Sequence, residues 1–174
     1  AWYCEAVRYA WEHHIMQGTS SAAFSPSSTT TRAMIVTMLY RLEGEPSAAA
    51  ADFTDVAAAD YDASAVGWAP ANAIVTGVSD TAFAPDSAVT REQIAVILYR
   101  YASFKGYDVS AIESLTDRFT DAEAVSTYAK TAMQWAVGSG LIQGDTGAAL
   151  RPRSSATRAE VAAILMRFCE TLLP

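Results

Sequence analysis

Apolar residues along this chain fall into two kinds of helical run that alternate three times. The longer kind reads Ile35, Met38, Leu39, Leu42, then Ile94, Ile97, Leu98, Tyr101, then Val161, Ile164, Leu165, Phe168. Spacing of i, i+3, i+4, i+7 puts four side chains on one face of an α-helix, so each run predicts a helix of about 12 residues, roughly 18 Å long, with one buried stripe. The shorter kind carries Trp2, Ala6, Tyr9, then Tyr61, Ala65, Trp68, then Tyr128, Ala132, Trp135. Positions i, i+4 and i+7 share a helix face, which predicts an opening helix with an aromatic stripe. The apolar pairs Ile15-Met16, Ile74-Val75 and Leu141-Ile142 follow, and then Gly18, Gly77 and Gly144. Each Gly is predicted to supply the left-handed residue that ends a helix. Pro70 predicts that the second opening helix kinks or stops early.

Polar positions between the two kinds of helix repeat as well. Counting from each Gly, an apolar anchor stands six residues on, Pro eight on, and Thr-Arg thirteen and fourteen on. The three instances are Gly18, Phe24, Pro26, Thr31, Arg32; Gly77, Phe83, Pro85, Thr90, Arg91; and Gly144, Leu150, Pro152, Thr157, Arg158. The frames lie 59 and 67 residues apart, so length varies between the units and not inside them. One helix pair cannot enclose a core, and three copies must bury their stripes against one another. The fold class predicted is all-α: three helix-loop-helix repeats over residues 1–46, 51–105 and 117–174. Connectors run through Glu43-Gly44-Glu45-Pro46-Ser47 and from Lys105 to Arg118. Phe53-Thr54-Asp55 and Phe119-Thr120-Asp121 open the second and third repeats, and the first has no counterpart.

Composition narrows the function. The chain is 51% apolar and 18% charged over 174 residues, which excludes disorder. A net charge of −7 argues against a nucleic-acid partner. No apolar run approaches the ~20 residues of a transmembrane helix. No leader is visible and residue 1 falls inside a repeat, so a piece of a larger protein is expected. Cys4 and Cys169 sit in amphipathic segments and read as two buried thiols, a disulfide between first and last repeats being the alternative. Glu12, His13 and His14 do not make a metal site, because adjacent helical residues diverge by about 100°. Asp52, Asp55, Asp60 and Asp62 lack the glycine and terminal Glu of a calcium loop. No nucleophile-base pattern or carboxylate pair recurs, so the reading is a non-enzyme with no cofactor and no metal.

What recurs is Arg32, Arg91 and Arg158 at helix starts, where the helix dipole favours acids. Either of two partners accounts for the choice: an anionic ligand, received also by unpaired N–H groups of the helix start, or an internal carboxylate such as Asp55 or Asp121. Thr90 with Gln93, and Thr157 with Glu160, are predicted capping boxes. Tyr9, Trp68 and Trp135 read as core, with an aromatic edge lining a groove as the alternative. Arg41, Arg100 and Arg167, near helix C-termini, read as solvated structural charges.

The order Phe-x-Asp, aromatic helix, Gly, Phe-x-Pro loop and Thr-Arg resembles the S-layer homology domain over nearly the whole chain. That resemblance implies a non-catalytic, extracellular anchor in the cell wall or S-layer. It also implies a pseudo-threefold unit whose inter-repeat grooves bind an anionic, pyruvylated secondary cell-wall polysaccharide, and a larger surface protein to which the repeats belong. Its Thr-Arg-Ala-Glu groove element maps onto Arg32, Arg91 and Arg158, with Glu160, Gln93, Asp55, Asp121, Trp68 and Trp135 completing the implied ligand set. Departures are Met34 and Gln93 at the Glu position, Leu150 at the loop Phe, and Arg151 and Arg153 around Pro152. Unequal grooves are therefore expected, the weakest being the one that would use the missing Phe-x-Asp opening. Arg→Ala at all three positions is expected to leave the fold intact while abolishing wall binding. The alternative is a protein–protein assembly module of a surface layer.

Overall fold

Six α-helices account for the regular structure in the computed structural model, which describes residues 1–173. They are α1 (Cys4–Glu12), α2 (Arg32–Leu42), α3 (Ala63–Ala71), α4 (Arg91–Lys105), α5 (Lys130–Gly138) and α6 (Arg158–Leu172), and α5 is preceded by two 3-10 turns. Each long helix starts at a Thr whose hydroxyl accepts the N–H three residues on: Thr31 from Met34, Thr90 from Gln93, Thr157 from Glu160. The second and third starts are complete capping boxes. No helix among the described residues is long and apolar enough to cross a membrane.

The repeats interlock in a ring. Helix α3 packs on α2 of the repeat before it, α5 packs on α4, and α1 closes the circle on α6. At the centre three backbone hydrogen bonds chase one another around a pseudo-threefold axis. Thr30 N donates to Ala156 O (2.9 Å), Ala156 N to Val89 O (3.0 Å), and Val89 N to Thr30 O (3.0 Å). All three residues are fully buried. Around them Ile35, Leu39, Ile94, Leu98, Val161, Leu165 and Phe168 form one core, as their helical spacing predicts, while Leu42 is only half-buried. Trp135 is completely buried and Trp68 nearly so.

Three local expectations need correction. The left-handed residue after each opening helix is His14 (φ 57°), Ala73 (φ 57°) or Gly140 (φ 72°), not the repeated Gly four residues later. Gly18, Gly77 and Gly144 are required instead by close approach. A Cβ on Gly77 would stand 2.5 Å from Ser79 O, 2.8 Å from Ala82 O and 2.7 Å from the Phe53 ring. Secondly, Pro70 does not shorten its helix: α1, α3 and α5 are all nine residues long, and Pro70 sits in the last turn of α3. Thirdly, Trp2, Tyr61 and Tyr128 precede α1, α3 and α5, and are exposed instead of lying in a buried stripe. The cysteines are both free thiols; Cys169 is buried as read, but Cys4 is exposed.

Candidate functional site: clefts between repeats

The Phe-x-Pro loop that follows each repeated Gly must bend sharply. Its turning residue adopts a left-handed conformation in each copy: Ser25 (φ 54°), Ala84 (φ 57°) and Arg151 (φ 50°). In the second repeat Asp55 holds that bend, its two oxygens accepting from Phe83 N (2.9 Å) and Ala84 N (2.7 Å). Asp121 does the same for Leu150 N (2.8 Å) and Arg151 N (2.7 Å). Those amides hold the Asp55 carboxyl below the usual carboxylate range. Asp55 and Asp121 are thus loop clips, and the bridge to an arginine read as possible from the sequence is not what they make.

The fixed loops present carbonyls to the helix starts of the preceding repeat. Arg32 N and Ala33 N donate to Ser87 O and Pro85 O, Arg91 N and Glu92 N to Ser154 O and Pro152 O, and Arg158 N and Ala159 N to Ser28 O and Pro26 O. The helix-start N–H groups are consumed by this docking, so the expectation that they stand unpaired for an anion is overturned.

The arginine side chains follow the same route. Arg32 Nε donates to Phe83 O (2.8 Å) and Nη2 to Thr76 O (2.7 Å), with the guanidinium 4.7 Å above the Phe83 ring centroid. Arg158 repeats this on Phe24 O (2.9 Å) and Gln17 O (2.6 Å), 4.6 Å above the Phe24 ring. Arg91 reaches Leu150 O (2.7 Å) and Gln143 O (3.1 Å), and its Nη1 also pairs with Glu160 at 3.1 Å. Desolvation lowers the pKa of all three, which remain cationic from so high a starting value. Each arginine staples one repeat to the next, and Arg32 and Arg91 also line open clefts.

Two clefts draw side chains from all three repeats. The first, of about 240 Å³, is lined by Arg32, Thr76, Gln93, Arg100 and Tyr128. The second, of about 410 Å³, has the frame-equivalent set Arg91, Gln143, Glu160, Arg167 and Trp2, together with Arg151 and Asp145. At the third joint the frame-equivalent residues are Arg158, Gln17, Met34, Arg41 and Tyr61. Arg158 is buried there on the Gln17 and Phe24 carbonyls.

Charge distinguishes them. In the second cleft Arg91 is paired with Glu160, and Arg151 with Asp145 at 3.2 Å. At the third joint, Asp62 and Asp86 join desolvation in raising the Tyr61 pKa, and Arg41 lies 4.0 Å from Glu45. In the first, Gln93 replaces the carboxylate. Its Oε1 caps Thr90 N (3.0 Å), which leaves the amide NH₂ free. Arg100 is exposed with no ion-pair partner among the described residues. The rim residue Tyr128 is oriented by Glu92, which accepts from Tyr128 Oη (3.2 Å), Ser126 Oγ (2.8 Å) and Ser126 N (2.9 Å). Desolvation and Glu92 raise the Tyr128 pKa, and Arg153 opposes them from nearby.

Of the residues singled out in the sequence, Arg32, Arg91, Gln93 and Glu160 line the clefts, and Arg158 is buried on the Phe24 and Gln17 carbonyls. Asp55 and Asp121 stand behind them as clips, and Trp68 and Trp135 lie in the core. Sequence reasoning set aside Arg100 and Arg167 as solvated charges and did not place Trp2, Tyr61 and Tyr128 at a rim. Their recurrence in frame was the available signal. Glu92 had none, because Ala33 and Ala159 occupy its sibling positions.

A closed ring of three helix-loop-helix units with clefts at its joints defines a three-repeat all-α module. Comparison with known proteins gives the family: the S-layer homology domain matches residues 1–33, 52–95 and 118–162. The chain belongs to that family, and it is a cell-surface anchoring module. It is 31% identical, over 97% of its length, to the surface-layer 125 kDa protein of Lysinibacillus sphaericus, covering 14% of that protein. It is 29% identical to an amylopullulanase of Thermoanaerobacterium thermosulfurigenes over 97% of this chain and 9% of that one. A cellulosome-anchoring protein of Acetivibrio thermocellus is 26% identical over 89% of this chain and 35% of that one. The chain therefore spans at most about a third of the length of these relatives.

Proposed function

We propose that this module anchors a larger surface protein, without catalysis of its own, by gripping an anionic, pyruvylated cell-wall polysaccharide in the inter-repeat clefts. The first cleft is the principal site. The observation that carries this reading is the pairing pattern. Arg32 and Arg100 converge there beside neutral Gln93, whereas Glu160 neutralises Arg91 in the second cleft. A pyruvate ketal offers a carboxylate on a rigid ring, which a guanidinium can receive through charge-assisted hydrogen bonds. The exposed Tyr128 ring, held by Glu92, supplies a face for the sugar. Relatives named as surface-layer and cellulosome-anchoring proteins support an anchoring role for the longer polypeptide.

Titration with pyruvylated and depyruvylated wall saccharide tests this. Arg100→Gln with Arg153→Gln removes two exposed cations that make no structural hydrogen bond among the described residues. One charge-assisted bond contributes about 1.5–3 kcal/mol, so affinity should fall roughly tenfold to a hundredfold with the circular dichroism unchanged. Equal binding of the depyruvylated saccharide would refute the proposal.

A further inference from the structure

The second cleft does not stand alone. A hollow of about 520 Å³ between the connector residues Glu113 and Arg118 and the loop 143–145 shares Gln143, Gly144 and Asp145 with it. On its other side the cleft shares Trp2, Arg91, Arg151 and Glu160 with a hollow of about 310 Å³, which carries the exposed residues Ser27, Ser154 and Ser155. Each of the three has the size of a small-ligand pocket, roughly 300–1,000 Å³, and in series they make a trough for something longer. Three of the five ion pairs among the described residues line this trough. They are Arg118–Glu113 (2.8 Å), Arg151–Asp145 (3.2 Å) and Arg91–Glu160 (3.1 Å). Asp145 is fixed in place, its Oδ1 accepting from Gly147 N (2.9 Å) and Ala149 N (3.1 Å) while Oδ2 faces Arg151. The other two loops cannot repeat that pair, because Val78 and Ala84, and Thr19 and Ser25, stand at its positions.

We infer that this trough binds an uncharged run of linked sugar residues, the neutral part of the wall polysaccharide, while the first cleft takes its acidic residue. The inference rests on the reading of the module as a wall-polysaccharide anchor. An arginine–carboxylate pair presents N–H donors and carboxylate lone pairs side by side. A sugar hydroxyl both donates and accepts, so neighbouring hydroxyls of one ring match such a pair. An anionic residue would meet a carboxylate beside each of these three arginines, and the repulsion would offset the attraction. Arg118, Glu113, Arg151 and Asp145 are each about a third to a half exposed, so they can reach a ligand with their pairing intact. Trp2, 68% exposed, stands where the cleft meets the smaller hollow and offers its face to a sugar ring. The remaining cation, Arg167, is engaged by the Leu141 carbonyl at 3.1 Å. Charge balance, length and an aromatic platform thus set the trough apart from the first cleft, where Arg32 and Arg100 have no carboxylate beside them.

Calorimetric titration of the 174-residue chain tests it with a disaccharide and an octasaccharide cut from wall polysaccharide whose pyruvate has been removed. The octasaccharide should bind at least tenfold more tightly than the disaccharide. Two variants locate the effect. Glu113→Gln with Arg118→Gln removes an exposed pair without changing the net charge, and Trp2→Ala removes the platform. Each should cut the advantage of the longer saccharide to threefold or less, with the circular dichroism unchanged. Failure of the octasaccharide to outbind the disaccharide overturns the trough, as does a length effect that survives undiminished in both variants. A length effect without any gain from pyruvylation would uphold the trough and refute the first-cleft reading. A gain from pyruvylation without a length effect would do the reverse.

Discussion

Replacing Arg158 by Ala asks whether the ring is held shut by its arginines. The side chain is 5% exposed and makes two charge-assisted hydrogen bonds to carbonyls of the first repeat, at 2.9 and 2.6 Å, with a cation–π contact at 4.6 Å. Each bond of that kind contributes about 1.5–3 kcal/mol, and the ring contact about 0.5–1. Truncation also relieves the desolvation that lowers the guanidinium pKa, and exposed Gln17 regains water, so the net falls just below the bottom of that sum, which runs from about 3.5 to 7 kcal/mol. A loss of about 3 kcal/mol is expected. For a chain of this size that corresponds to a fall in Tm of roughly 6–12 °C, measurable by thermal and urea denaturation. Arg158→Lys should recover only part of it, since one ammonium cannot reproduce the planar fork. Loss of less than about 1 kcal/mol in both Arg158→Ala and Arg32→Ala would refute the stapling argument. The same arithmetic overturns the expectation that all three Arg→Ala changes leave the fold intact. About 9 kcal/mol is comparable with the whole stability of a domain.

Three further outcomes follow from individual positions. Thr30→Val should stabilise the protein by about 1–2 kcal/mol in urea denaturation. The Thr30 hydroxyl is fully buried without a partner, and its sibling on the pseudo-threefold axis is already Val89. Glu160→Gln should keep the capping box, as Gln93 does, while releasing Arg91. Calorimetry should then find a second competent cleft for the pyruvylated saccharide, with little change in stability. Acid should weaken the fold through the loop carboxylates. Backbone amides depress the pKa of Asp55 and Asp145, so their contribution is present above the unfolded value near 4 and lost as pH falls through the folded one. Urea midpoints should fall below about pH 4, and less steeply in Asp55→Asn.

The architecture was legible because three copies of one pattern over-determine it. The stripes ending in Leu42, Tyr101 and Phe168, and the Thr caps, each announce a helix without reference to its neighbours. The site was legible only in part, because its decisive contacts join residues far apart in the chain. Nothing near Arg158 indicates that its partners are Phe24 O and Gln17 O, 134 and 141 residues away. A backbone carbonyl acceptor leaves no trace in composition, so the choice between ligand and carboxylate could not include it. Gly18, Gly77 and Gly144 were misassigned for a related reason. Crowding by a loop carbonyl is a property of the folded chain, whereas a helix-ending Gly is a local motif. Only comparison across copies could have rescued Trp2, Tyr61 and Tyr128, since their shared frame outlasts their position outside the helices.

Closure of the ring and formation of the clefts are one event. Each arginine reaches forward to the loop of the next repeat, and the space left beside it is walled by that loop and by an aromatic residue from the repeat after. A module of two repeats would keep one such joint and would lack the third wall. Cleft charge nevertheless differs between the joints of this one chain without disturbing the ring. The stapling bonds go to backbone carbonyls, which no substitution removes, while the residues that set cleft charge, Met34, Gln93 and Glu160, need only avoid disturbing a helix start. Gln and Glu both complete the capping box, and Thr31 caps its helix without either. One position in the frame can therefore change from apolar to neutral to acidic at little structural cost, and as Gln93 and Glu160 it stands beside the arginine of the preceding repeat.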